Sequence, residues 1–114
     1  LYLTGMSSED IARSNLGFVW VAGGTVNFKV WFFDENGNRL NPENDPYTVA
    51  LSQTNPWDQD KLENRFRNKG WTLPANSRVI SAIIQVEGAV GQAYASVIDN
   101  RTNDPIFIPA VPAP

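Results

Sequence analysis

Residues 25–33 (TVNFKVWFF) carry the most constraining pattern in the chain. Val26, Phe28, Val30 and Phe32 fall on one side, and Asn27, Lys29, Trp31 and Phe33 on the other. That is the period of a β-strand, whose successive side chains point to opposite faces. The first side is wholly apolar and must be buried, while the second is mixed and suits a half-covered face. Asp34, Glu35, Asn36, Gly37 and Asn38 come next. Asn-Gly readily takes positive φ, so the strand is expected to end in a hairpin turn.

The rest of the chain repeats this theme at short intervals. Residues 1–3, 15–22 (NLGFVWVA), 47–51, 78–87 (RVISAIIQVE), 92–99 (QAYASVID) and 105–109 (PIFIP) read as further strands. Gly23 and Gly24 end one of them, and polar breaks separate the others. Residues 71–77 read as a loop or short strand. The period changes once. Asn55 as N-cap, Pro56 in the first helical position, Asp58 and Asp60 in the first turns and Gly70 as a stop predict a helix over 56–68. Lys61, Arg65, Arg67 and Lys69 follow, where the helix dipole favours cations. Trp57, Leu62 and Phe66 are its apolar anchors. About seven strands with frequent turn signals predict an all-β, immunoglobulin-like antiparallel sandwich, with the helix crossing between strands. The sandwich is expected over 1–104. Residues 105–114 would form a last short strand and a tail spaced by Pro109, Pro112 and Pro114, extended and polyproline-like.

Composition limits what such a domain does. The 114 residues suit one domain. A net charge of −3 with scattered basic residues argues against nucleic acid or an anionic membrane surface as partner. No apolar run is long enough to span a bilayer. There is no Cys and no His. Disulfides, thiolate or His-ligated zinc sites, Cys nucleophiles and Ser-His-Asp triads are therefore excluded. Carboxylates remain, and Asp58, Asp60 and Glu63 cluster on the expected helix. Compensation of the helix dipole accounts for them, and a glycosidase would also need a deep cleft with two opposed carboxyls. No enzyme and no cofactor are expected. The chain opens on Leu1, Tyr2 and Leu3 without an initiator Met and reads as a mature or excised piece of a longer protein.

Two stretches carry a resemblance. Residues 93–109 read AYASVIDNRTNDPIFIP, and residues 13–40 begin RSNL, pass through two apolar strands and reach Asp34 and Gly37. Together they resemble uncharacterised β-sandwich modules, found in tandem or at the C-terminus of large bacterial exported proteins. Those modules run R-[ST]-N-L, then a strand ending in D-x-x-G, and close on A-Y-A-S-V-x-D-N-R-[ST]-x-D-P. The resemblance implies a secreted or cell-surface bacterial setting and a sandwich fold, and it supplies no activity. It also implies that Arg101 pairs with Asp99 or Asp104 to fix the last turn, giving Asp99, Asn100, Arg101 and Asp104 a structural role. The chain departs from the pattern in its aromatic richness and in its longer 39–46 stretch.

Several features are candidates for function. Asp34, Asn36 and Asn38 are weak metal candidates in a loop with Asp45 twelfth in line, but Gly37 is fourth rather than sixth, so the hairpin turn is the favoured reading. Lys29 is placed for an isopeptide crosslink, yet beside Trp31 its stem is expected to snorkel to water. The aromatic-rich faces read as protein interface, with sugar stacking on Trp31 and Trp71 as the alternative. The apolar chain ends are candidates for strand addition to a neighbour. The expected interface is therefore Leu1, Tyr2, Leu3, Trp31, Phe33, Ile106, Phe107 and Ile108. The reading is a non-enzymatic extracellular structural module, either a subunit of a surface filament or a terminal module, exchanging strands with copies of itself or neighbouring modules. The alternative is a carbohydrate-binding adhesion module.

Overall fold

A computed structural model describes residues 1–112; the expectation for Pro114 lies outside the described residues. The elements run β1 (Tyr2–Met6), β2 (Ala12–Ala22), β3 (Val26–Phe33), β4 (Tyr47–Leu51), β5 (Trp57–Lys61), α1 (Leu62–Lys69), β6 (Ile80–Glu87), β7 (Val90–Asp99) and β8 (Pro105–Pro109). They form two four-stranded sheets, ordered β1-β6-β3-β4 and β5-β2-β7-β8. Every named pairing is antiparallel. The sandwich expected from the alternation is thus what the chain forms, with eight strands instead of about seven.

The two sheets meet over a core that follows the alternation. Val26, Phe28, Val30 and Phe32 of β3 are fully buried, as their period predicts. Facing them, β2 contributes Leu16 and Phe18, and β7 contributes only small residues, Ala93 and Ala95. The small residues make room for large ones: the Phe18 and Phe28 rings lie 4.9 Å apart, and a side chain at Gly91 would collide with the Phe28 ring. Large-against-small interdigitation of this kind lets two sheets reach the density of a protein interior.

The helix differs from its expected bounds. Residues 57–61 are strand β5, and α1 begins only at Leu62. Asn55 and Pro56 therefore do not cap a helix. Ser52 and Asn55 close a tight turn by exchanging backbone hydrogen bonds, and the Pro56 carbonyl accepts the Trp20 N–H. The reason is tertiary. β2 is eleven residues long and would leave an open edge. Residues 57–61 satisfy that edge with a ladder from Val19–Trp57 to Asn15–Lys61. Local cap preferences, worth about 1 kcal/mol, do not compete with such a ladder. The expected C-terminal stop holds: Gly70 is left-handed at φ 72°, and the N–H groups of Gly70 and Trp71 bond back to Arg67 and Phe66. The helix crosses between strands, as expected, leading from β5 of one sheet to β6 of the other.

Arg65 locks this crossing. Its side chain is 1% exposed. One terminal nitrogen donates to the Leu16 carbonyl at 2.6 Å and to Asp58 at 3.2 Å, and the other reaches the Tyr47 hydroxyl at 3.2 Å. The guanidinium lies against the Phe18 and Tyr47 rings, 5.2 and 5.5 Å from their centroids. Its Nε makes no hydrogen bond. One side chain thereby ties α1 to β2, β4 and β5. Arg65→Ala is expected to destabilise the fold by about 2–4 kcal/mol, from the void and the lost hydrogen bonds to Leu16, Asp58 and Tyr47. Urea unfolding measures it, and a loss below about 1 kcal/mol would contradict this role.

Candidate functional site

The outer face of the second sheet carries an aromatic strip. Leu16 and Phe18 point into the core, so Asn15, Gly17 and Val19 of β2 face outward. The register then sets Trp57 of β5 beside Val19, Tyr94 of β7 beside Gly17, and Phe107 of β8 beside Ser96. Tyr94 lies down across Gly17, where any side chain would collide with its ring. A glycine inside a strand often marks such a close approach. The Tyr94 hydroxyl accepts the Trp57 indole N–H at 2.9 Å and donates to Gln59. Phe107 continues the strip with its centroid 6.4 Å from that of Tyr94. Trp57 and Phe107 are 58% and 67% exposed, so large apolar rings stand open to solvent, that of Trp57 oriented by its hydrogen bond to Tyr94.

A second apolar surface lies on the outer face of the first sheet. Tyr2, Ile83 and Trp31 stand in one row across β1, β6 and β3. Ile83 and Trp31, with Leu1 and Val90, border an open groove of about 690 Å³. The structure thus brings together three of the expected interface residues, Leu1, Tyr2 and Trp31. Phe33 lies next along β3, with the Arg39 guanidinium 5.3 Å over its ring. Leu3 is a correction: it is 1% exposed and belongs to the core, because β1 alternates and Leu3 takes the inward phase. Trp31 and Trp71 also do not share a platform. Trp31 faces outward and donates to the Glu43 carbonyl, whereas Trp71 packs edge-on against Tyr47 and Phe66 on the core side.

Strand β8 pairs with β7 of its own chain, and Tyr2 and Val111 then exchange hydrogen bonds, closing that side of the sandwich. Ala110 donates to Ala93, and Asp99 to Asp104. By antiparallel alternation, Ile106 and Ile108 aim their N–H groups at β7, and positions 105, 107 and 109 face outward. Two of those three are proline, so the free edge of β8 presents one backbone donor, that of Phe107. Ile106 is 65% exposed, and Ile108 is half-buried beside Gly5.

The remaining candidates are engaged in hydrogen bonds, ion pairs or a polar cleft. Asp34 accepts the N–H groups of Asn36 and Asn38 at 2.9 and 2.8 Å, which ties a hairpin turn. The Asn38 N–H, first among these donors, holds the Asp34 carboxyl below its ordinary pKa. No cluster of three acidic side chains that could hold a metal occurs among the described residues. Lys29 lies 3.8 Å from Glu87. Of the expected helix carboxylates, Asp58 meets Arg65 and Asp60 accepts from Lys61 and Asn64. Glu63 lines a polar cleft of about 350 Å³ whose Ser7, Ser8 and Ser14 hydroxyls are bonded to backbone groups.

In the last turn, Arg101 pairs with Asp99 at 2.9 Å rather than with Asp104, whose N–H goes to Thr102. Asn100 accepts from Arg13, so the two stretches that carry the family resemblance meet here.

No family model matches the sequence, and no curated protein matches it. Among solved structures the chain is similar to the crystal structure of Thermotoga maritima 1070, with a TM-score of 0.59 and 10% identity, over 97% of this chain and 93% of that chain. The likeness shows a shared fold.

Two outcomes follow from these contacts. Gly17→Ala is expected to lift Tyr94 off the sheet, breaking its bond to Trp57 and red-shifting and broadening the Trp57 contribution to fluorescence. An unchanged spectrum would show that the ring does not rest there. Asp99 is held at about 2 by Arg101, first through its side chain and then through its backbone N–H, against an ordinary 3.8. Its folded pKa is depressed, so its contribution to stability is present above about pH 4 and lost as pH falls toward 2. Asp99→Asn should flatten the acid limb of the stability curve in that window, and an unaltered limb would remove the pair from the account.

Proposed function

We propose that this chain is a non-enzymatic structural and adhesive module of a bacterial exported protein, gripping a partner through the outer face of β5-β2-β7-β8. The observation that carries this reading is the strip of Trp57, Tyr94 and Phe107, in which Trp57 and Phe107 are exposed while Tyr94 is held against the sheet and hydrogen-bonded to Trp57. Rigid exposed aromatics are what binding surfaces concentrate, since they offer large contact area with little side-chain entropy to lose. The extracellular setting rests on the resemblance of residues 13–40 and 93–109 to modules of exported proteins. The wild-type chain is expected to cosediment with bacterial cell-envelope fragments, and Trp57→Ser/Phe107→Ser to lose about tenfold or more of that affinity. Equal retention of both would overturn the reading.

A second reading is assembly by strand exchange through β8. What favours it is the exposure of that strand, whose residues are all exposed except the half-buried Ile108. The outward prolines Pro105 and Pro109 restrict a donated β8 to an edge position in the acceptor, as in its own chain. Light scattering over a wide concentration range tests it. Strand exchange predicts large species that Ile106→Asp dissolves, and a monomer at all concentrations would remove it.

A further inference from the structure

We infer that the ligand of the aromatic strip is an uncharged, β-1,4-linked polysaccharide chain lying diagonally across the second sheet; this rests on the adhesive reading above. The strip crosses all four strands. From β5 to β8 is three strand spacings, and Val19 to Asn15 is four residues along β2, so Trp57 and Phe107 stand roughly 20 Å apart between backbone positions. Nothing closes either end, because the strip lies on an open sheet face. A polymer could therefore pass over it in mid-chain, which a closed pocket for a small molecule would forbid.

The chemistry of the strip selects among polymers. A pyranose ring with equatorial substituents has apolar C–H faces and a rim of hydroxyls. Joined through equatorial β-1,4 bonds, such rings make a flat ribbon with both properties along its length. Flat aromatic faces match the C–H faces, and amides match the rim. Gln59 stands in register with Gly17 and Tyr94, and Asn15 lies on the next outward row. No acidic side chain faces outward from these rows among the described residues. Lys61 stands at one corner and Arg13 is engaged with Asn100. Tyr94 is preordered, held through both its ring and its hydroxyl, and preordering spares the entropy of fixing side chains on binding.

Affinity electrophoresis of the full chain tests this, with hydroxyethyl cellulose and soluble xylan as the uncharged probes and alginate as the acidic one. The expected result is retardation by an uncharged probe that Trp57→Ala and Tyr94→Ala each weaken by about tenfold, and that Trp31→Ala leaves unchanged. Thermal unfolding of each variant confirms that it is folded; Phe107→Ala supplies a further exposed-site variant if Tyr94→Ala is not. Retardation by alginate alone, or retardation that the strip variants do not weaken, would overturn the inference. No retardation, with envelope binding still lost in Trp57→Ser/Phe107→Ser, would overturn the polysaccharide and leave the adhesive face standing. No retardation and no effect on envelope binding would overturn both.

Discussion

The burial of the Arg65 guanidinium is the interaction on which the rest of this structure depends. A charged group with 1% of its side chain exposed is held only because Leu16, Asp58 and Tyr47 receive its hydrogen bonds and two aromatic rings cover its faces. Those partners belong to β2, β4 and β5, and Arg65 belongs to α1. The helix is therefore not an appendage: it fastens β5 to the edge of the second sheet. Trp57 rides on β5, so the placement of the first aromatic of the strip traces back to a buried cation on the opposite side of that strand.

A second constraint works from the other direction. Gly17 leaves the outer surface of β2 bare, and Tyr94 fills it by lying flat. The same sheet presents small residues inward on β7, where Ala93 and Ala95 accept large side chains from the first sheet. The second sheet thus uses size alternation on both faces, inward for core packing and outward for a laid-down ring. The tail follows the same economy. Its outward prolines leave little backbone to recruit another strand, while Val111 seals the side of the sandwich against Tyr2.

Much of the fold was legible in the sequence where the signal was local. The alternation of residues 25–33, the Asp34 turn and the Gly70 stop depend on near neighbours and appear as expected, and of the two partners the resemblance left open for Arg101, Asp99 is the one it takes. Residues 55–61 were misread for the opposite reason. Asn55-Pro56 is a good local cap, but the ladder that claims residues 57–61 comes from residues 15–19. The strip was illegible for the same cause: its members come from β5, β7 and β8 and meet only through β2 and β7. Two signals pointed toward it, a glycine inside a strand and the exposed phase of Trp57, Gln59 and Lys61. Leu3 was assigned to an interface because β1 is too short for its phase to be read from sequence alone.

The central claim is that this domain works through the outer face of β5-β2-β7-β8. Amide chemical shifts of the labelled chain, recorded while a cello-oligosaccharide is added, test it most directly. The account predicts perturbations concentrated at residues 15–19, 57–61, 92–96 and 106–108. Perturbations gathered instead around Tyr2, Ile83 and Trp31, on the opposite sheet, would contradict it.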